Sequence, residues 1–148
     1  MKTQVWAHRG ASAYAPENTL EAFRLAAEMG ADGVELDVQL SRDGELVVAH
    51  DETIDRVSSG TGYIKDYTLA QLKKLSFNRL FPKFKDARIP TLKEVYELLK
   101  PAGLTVNVEL KTGIILYPEI EEKVLALTAS MGMEDRVIYS SFCHPSLV

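Results

Sequence analysis

The chain has 148 residues, 46% of them hydrophobic and 26% charged, and its formal net charge is -4. This composition is typical of a single globular domain with enough apolar side chains for a core, and it argues against a disordered chain. The acidic balance argues against nucleic acid or an anionic membrane as a partner, which leaves a small soluble molecule as the expected ligand.

Five segments have the apolar runs or the alternation of apolar and polar residues that are typical of strands. They are Gln4–His8, Gly33–Leu40, Leu46–His50, Thr105–Leu110 and Val137–Phe142. Most of them are separated by segments that begin like helices, where a capping residue is followed three residues later by Glu or Gln. These pairs are Asn18 with Glu21, Thr68 with Gln71 and Thr91 with Glu94. Strands that alternate with helices favour the α/β class with parallel strands.

The region from about residue 51 to residue 90 is long, rich in Gly, Ser, Lys and Phe, and only partly helical by its pattern. Such an excursion is either a substrate-facing loop or an irregular cover, and both interpretations stay open. Its phenylalanines are expected to pack locally rather than to line a substrate pocket: Phe77, Phe81 and Phe84.

Carboxylates are expected on one face of two strands. Because successive side chains of a strand point to opposite faces, Glu35 and Asp37 share a face. The same rule puts Asn107, Glu109 and Lys111 together on a later strand. Side chains at the C-terminal ends of strands form the active site in a (β/α) barrel, so these groups are expected to converge on one pocket.

Two histidines also lie at strand ends, His8 immediately before Arg9 and His50 at the end of the third strand. If Asp43 and Gly44 form a two-residue hairpin turn, the register puts Asp37 opposite His50. That pairing is antiparallel, so two arrangements stay open. Either a short hairpin extends beyond the barrel, or a looser turn lets the next strand return in parallel.

Three carboxylates close together need a counter-charge, and a divalent cation among Glu35, Asp37 and Glu109 supplies one. Ligands that are all oxygen favour a hard ion, Mg²⁺ or Ca²⁺. The sequence therefore predicts a cation site on these two strands.

The other ionisable groups at the strand ends suit phosphodiester chemistry. Of His8 and His50, one can accept a proton from an attacking hydroxyl and the other can donate one to the departing oxygen. Arg9 and Lys111 add positive charge for a phosphate-bearing substrate.

The sequence resembles the glycerophosphodiester phosphodiesterase family. The resemblance rests on segments that span nearly the whole chain in the family's order: AHRGASAYAPENTLEAF (7–23), GADGVELDVQLSRDGELVVAHDETIDRVSSGTG (30–62), IPTLKEV (89–95), NVELK (107–111) and SSF (140–142). It implies a TIM-type barrel and hydrolysis through a cyclic phosphate, which water opens to glycerol 3-phosphate. It further implies site residues in three roles: acid and base (His8, His50), metal ligands (Glu35, Asp37, Glu109) and phosphate contacts (Arg9, Lys111).

The chain is shorter than a complete barrel, which usually needs about 250 residues and eight strands. The sequence ends just after the fifth predicted strand, so residues 1–148 are expected to form the N-terminal portion of one barrel domain. An open sheet of this kind would expose a strand edge and apolar surface. We therefore expect either a further portion of the protein or self-association to complete the barrel.

Several alternatives stay open from the residues alone. A non-catalytic phosphate- or metal-binding scaffold, or an inactive fragment, would keep the same motifs without turnover. Glu17 and Asn18 either start a helix or contact the ligands directly, and His144 is expected to be incidental. A phospholipase D-like toxin is disfavoured, because those secreted relatives carry disulfides.

The expected compartment is the cytoplasm. Cys143 is the only cysteine, which excludes an internal disulfide and fits a reducing environment. The N-terminus has no apolar signal core, and no run approaches the roughly 18 apolar residues of a membrane span.

Overall fold

A five-stranded sheet forms the centre of the computed structural model, which describes residues 3–148. The strands are β1 (Trp6–His8), β2 (Gly33–Leu40), β3 (Leu46–Val48), β4 (Thr105–Leu110) and β5 (Val137–Ser140). β1, β2, β4 and β5 are neighbours in that order, and every pair among them is parallel. The predicted α/β class with parallel strands is thus confirmed. Each strand lies within its predicted segment, although β1, β3 and β5 are each two residues shorter, so that His50 follows β3 on a bend.

Helices connect the parallel strands. They are α1 (Leu20–Glu28), α2 (Leu69–Lys73), α3 (Leu92–Ala102) and α4 (Ile120–Ser130), with 3₁₀ turns at Ile64–Asp66, Glu134–Arg136 and His144–Leu147. Full capping boxes begin α2 at Thr68 and α3 at Thr91, as predicted. None of the helices in residues 3–148 has the length and apolar character that crossing a membrane requires.

The prediction that Asn18 caps α1 is wrong by one residue. Thr19 is the N-cap, and its Oγ1 accepts a hydrogen bond from the backbone N–H of Ala22. Asn18 has a left-handed backbone with φ 56°. Its amide is therefore directed away from the helix start and toward the sheet.

Opposite faces of β2 have different surroundings. Val34, Leu36 and Val38 are buried in a core that the sheet shares with α1, α3 and α4. The polar face, which includes Glu35 and Asp37, is turned away from those helices because side chains alternate. Packing of the apolar face against the helices therefore determines which way the carboxylates point.

β3 pairs antiparallel with β2, which is the hairpin alternative rather than the parallel return. The register differs by one residue from the predicted one, because Leu40 pairs with Leu46 and the turn has a longer loop. The backbone N–H of Ser41 bonds to the carbonyl of Glu45, and Gly44 has φ 77°. Ala49, not His50, therefore lies beside Asp37, and its N–H donates to the Asp37 carbonyl at 3.0 Å.

The excursion packs against β3 and the residue that follows it in a second, smaller core. The buried members of this core are Val47, Ala49, Ile54, Ile64, Leu72, Phe77 and Ile89. Phe81 and Phe84 contact each other edge to face, with ring centroids 6.3 Å apart. The excursion therefore has a packed interior, and its phenylalanines pack locally.

Gly10 brings the turn after β1 against α1. Its φ is 77°, and a Cβ at this position would lie 2.7 Å from the carbonyl carbon of Ala22. Gly30 has nearly the same φ, 79°, but a Cβ there would meet no atom within 4 Å. The two glycines share the backbone conformation and differ in the space around them.

We expect Gly10→Ala to destabilise the chain clearly more than Gly30→Ala. Both variants carry the strain of a left-handed alanine, about 1–2 kcal/mol, and Gly10→Ala adds the overpacking penalty of about 1–3 kcal/mol. Urea denaturation of the two variants measures the difference. Equal losses would show that α1 does not constrain this turn.

Candidate active site

Three carboxylates from β2 and β4 form one cluster. In the parallel register, Asp37 lies beside Glu109, and Glu35 is two residues before Asp37 on the same face. One oxygen from each of the three side chains lies within 4.8 Å of the others. The predicted convergence of Glu35, Asp37 and Glu109 is therefore present in the fold.

Lys111, Arg9 and His8 each place a side-chain nitrogen within 4.0 Å of a carboxylate of this cluster. Lys111 Nζ lies 3.3 Å from Glu109 Oε1 and 3.9 Å from Asp37 Oδ1. Arg9 Nε lies 3.7 Å from Asp37 Oδ2, and His8 Nε2 lies 3.7 Å from Glu35 Oε2. The two cations therefore balance part of the acidic charge.

Burial and mutual repulsion disfavour the ionised acids. Burial, followed by the charge of Asp37, raises the pKa of Glu35 from 4.5 to about 7. Burial also raises the pKa of Asp37, although a hydrogen bond from Asn18 opposes this. The cluster therefore holds more negative charge than its protein surroundings stabilise, as expected of a site for a cation.

Asn18 orients the most buried of the three acids. Its Nδ2 donates to Asp37 Oδ2 at 2.9 Å, and Asn18 and Asp37 are 2% and 1% exposed. Asp37 Oδ1 is buried and has no hydrogen-bond partner among the described residues. An oxygen fixed in this way, beside two further carboxylates, fits a ligand of a hard cation such as Mg²⁺ or Ca²⁺.

The backbone around His50 is fastened by Gln39, which follows Glu35 and Asp37 on the polar face of β2. Gln39 is fully buried, and its Nε2 lies 2.9, 3.1 and 2.8 Å from the carbonyl oxygens of Ala49, His50 and Asp51. Its Oε1 accepts from Tyr117 at 2.8 Å. One amide therefore positions the segment that carries His50.

The ring of His50 and the guanidinium of Arg9 both contact an acidic neighbour. His50 Nδ1 lies 2.7 Å from Asp51 Oδ1. Arg9 Nη1 lies 3.3 Å from Glu17 Oε1. Both acids also bind Arg56, so an ionic network adjoins the carboxylate cluster.

Sequence reasoning did not assign four of these residues to the site: Gln39, Asp51, Arg56 and the amide of Asn18. The position of Gln39 on the same strand face as Glu35 and Asp37 was a usable signal. The position of Asp51 directly after His50 was a weaker signal. Arg56 lies only five residues after its partner Asp51, but nothing local in the sequence indicates its contact with Glu17, which lies 39 residues away.

The family model of the glycerophosphoryl diester phosphodiesterase family matches residues 8–148, and the chain belongs to this family. It is 55% identical to the glycerophosphodiester phosphodiesterase of Caldanaerobacter subterraneus subsp. tengcongensis, over 99% of the chain and 61% of that protein. The chain thus spans about six tenths of the length of this relative.

Solved structures of similar proteins have the same fold. The crystal structure of a glycerophosphodiester phosphodiesterase from Agrobacterium tumefaciens matches with a TM-score of 0.89 at 38% identity, covering 98% of this chain and 60% of that one. An Oleispira antarctica phosphodiesterase in complex with the product sn-glycerol-3-phosphate matches with a TM-score of 0.84 at 36% identity, over 98% and 60% of the two chains.

We expect the stability of the metal-free chain to fall as the pH rises from 4.5 toward about 7, the window set by the pKa of Glu35. The folded state holds the Glu35 proton more tightly than the unfolded chain does, so stability present below this window is lost through it, by up to about 3 kcal/mol. Urea denaturation in a chelator should show the loss in the native sequence and a smaller loss in Glu35→Gln. The exposed Glu134→Gln is the control, and equal pH dependence in all three proteins would contradict the assignment.

Proposed function

We propose that these residues perform the metal-dependent hydrolysis of glycerophosphodiesters to glycerol 3-phosphate and an alcohol. The observation that carries the proposal is the cluster of Glu35, Asp37 and Glu109, with one oxygen of each within 4.8 Å of the others. Membership of the family and the product bound in the Oleispira antarctica relative support the same reaction.

Glu35, Asp37 and Glu109 are the proposed ligands of one divalent cation, Mg²⁺ or Ca²⁺. The raised pKa of Glu35 and the unpartnered, buried Oδ1 of Asp37 support this role. When bound, such an ion neutralises the carboxylates and polarises a phosphoryl oxygen.

His8 and His50 are the proposed acid and base. One takes the proton of the glycerol hydroxyl as that oxygen attacks phosphorus, and the other protonates the alcohol oxygen as its bond to phosphorus breaks. Water then opens the cyclic phosphate, with the two proton transfers reversed. The side chain of His8 is 69% exposed, which leaves it accessible to a ligand.

Arg9 and Lys111 are the proposed phosphate contacts. Each lies within 4.0 Å of a carboxylate of the cluster, Arg9 beside Asp37 and Lys111 beside Asp37 and Glu109. A phosphate next to the acidic ligands would meet both positive charges, and a guanidinium can bind two of its oxygens at once.

We further infer that residues 1–148 form the N-terminal portion of a single barrel domain that works in the cytoplasm. The match from residue 8 to residue 148 and the similar coverage of the two solved relatives support the first point. The single cysteine, Cys143, supports a reducing compartment.

The direct assay supplies Mg²⁺ or Ca²⁺ and glycerophosphocholine and measures release of glycerol 3-phosphate. Release that depends on the added cation is the expected result. Binding of the cation with no release, by this chain and by a longer form of the protein, would favour a scaffold without turnover.

Substitutions should separate the roles of the proposed residues. We expect His8→Ala and His50→Ala each to lower kcat by about 10²- to 10⁴-fold, because each removes one proton transfer. Cation affinity, measured by calorimetry, should change little in both. Asp37→Ala should weaken cation binding by at least about 10-fold, because it removes a proposed ligand.

His144→Ala is the matched control, since His144 is an exposed histidine in the last 3₁₀ turn. Its kcat and cation affinity should equal those of the native sequence. Equal loss of cation binding in the His8, His50 and Asp37 variants would contradict the division of roles.

A further inference from the structure

Arg56 lies in the excursion, and its guanidinium joins two acids from separate parts of the chain. Its Nη2 and Nη1 lie 2.6 and 3.0 Å from Oε1 and Oε2 of Glu17. Its Nε and Nη2 lie 2.8 and 3.2 Å from Oδ2 and Oδ1 of Asp51. Both contacts are two-pronged, so each carboxylate is held in a defined plane.

Each acid bound by Arg56 holds a residue of the proposed chemistry. Asp51 Oδ1 contacts the ring Nδ1 of His50 at 2.7 Å, and Glu17 Oε1 contacts Nη1 of Arg9 at 3.3 Å. Arg56 thus acts on His50 through Asp51 and on Arg9 through Glu17.

The contact with Asp51 determines which nitrogen of His50 is available. Hydrogen bonds from Arg56 lower the pKa of Asp51 to about 2, so this carboxylate is ionised and can only accept. Neutral His50 must then carry its proton on Nδ1, which leaves the lone pair of Nε2 for a ligand. The opposite tautomer would lose the hydrogen bond to Asp51.

Asp51 needs an external partner to hold this position. Residues 50 and 51 follow each other on a bend, and the side chain of Asp51 is 29% exposed to solvent. A partly exposed carboxylate of this kind can rotate into water unless a second group fixes it. The two hydrogen bonds from Arg56 to the two oxygens of Asp51 prevent this rotation.

We propose that Arg56 is a positioning residue of the site: by binding Glu17 and Asp51 together, it keeps His50 with Nε2 free and keeps Arg9 in place. The inference rests on the proposed function for its catalytic consequence only. The alternative is that Arg56 merely fastens the excursion to the rest of the fold, and this alternative leaves the state of His50 unchanged.

The decisive experiment is ¹⁵N NMR of the histidine rings in this chain at about pH 9, more than two units above the ordinary histidine pKa. The signals of His50 are those lost in His50→Ala. In the native sequence we expect a protonated Nδ1 and an unprotonated Nε2. In Arg56→Gln the two signals should move toward each other, because the Nε2-protonated tautomer gains population.

Two further variants sharpen this test. Arg56→Lys keeps the charge but cannot form the fork, so we expect a smaller displacement in the same direction. Arg88→Gln is the matched control, because Arg88 donates to the backbone carbonyls of Lys85 and Ala87 within its own loop. Its His50 signals should equal those of the native sequence.

Kinetics with Ca²⁺ or Mg²⁺ and glycerophosphocholine measure separately the effect of Asp51 on His50 and the effect of Glu17 on Arg9. Asp51→Asn should lower kcat by about 10- to 100-fold with a smaller change in KM, as expected for a residue that orients a catalytic group. Glu17→Gln should mainly raise KM, because it frees Arg9. Arg56→Gln should do both.

His50 signals that stay unchanged in folded Arg56→Gln would overturn the inference, even if that variant is less stable. Should Arg56→Gln fail to fold, Arg56→Lys and Asp51→Asn are measured in the same way, and unchanged signals there overturn it equally. An absence of turnover in the native sequence would instead count against the proposed function, while the NMR result still decides the role of Arg56.

Discussion

Repulsion among three carboxylates, of which Asp37 is buried and Glu35 and Glu109 are partly buried, is the constraint on which the rest of the structure depends. Glu35, Asp37 and Glu109 are brought within a few ångströms by strand pairing, and the burial of Glu35, followed by the charge of Asp37, raises the pKa of Glu35 to about 7. A stable fold has little reason to gather acids in this way, because each one is stabilised better in water. The cluster is therefore best explained by a ligand that carries positive charge.

The fold supplies this arrangement through ordinary packing. The apolar face of β2 is buried against helices, so the acids of its polar face lie on the side of the sheet opposite those helices. Two side-chain amides then hold groups that strand pairing does not position. Gln39 binds the backbone of the turn that carries His50, and Asn18 binds the carboxylate of Asp37. The excursion adds Arg56 from outside the parallel sheet. Positioning thus comes from three separate parts of the chain.

Much of this could be predicted from the sequence, since period-two alternation is a local property. It located β2 and β4 and put their acids on one face, and capping boxes located the starts of α2 and α3. The predicted hairpin register was wrong by one residue, because the choice between a two-residue and a longer turn depends on contacts beyond the turn. The sequence leaves both a helix start and a role at the site open for Asn18, because its side chain suits a cap as well as a carboxylate partner. Arg56 binds an acid 39 residues away, which no local pattern encodes.

Anomalous diffraction from crystals grown with Mn²⁺ tests the central point most directly, because Mn²⁺ is a hard ion whose position can be located without assumptions about the protein. The expected result is one strong peak with oxygens of Glu35, Asp37 and Glu109 all within about 2.0–2.6 Å, the range of hard-cation ligands. A fully occupied peak elsewhere, or crystals in which these three side chains bind no ion at saturating Mn²⁺, would contradict the account.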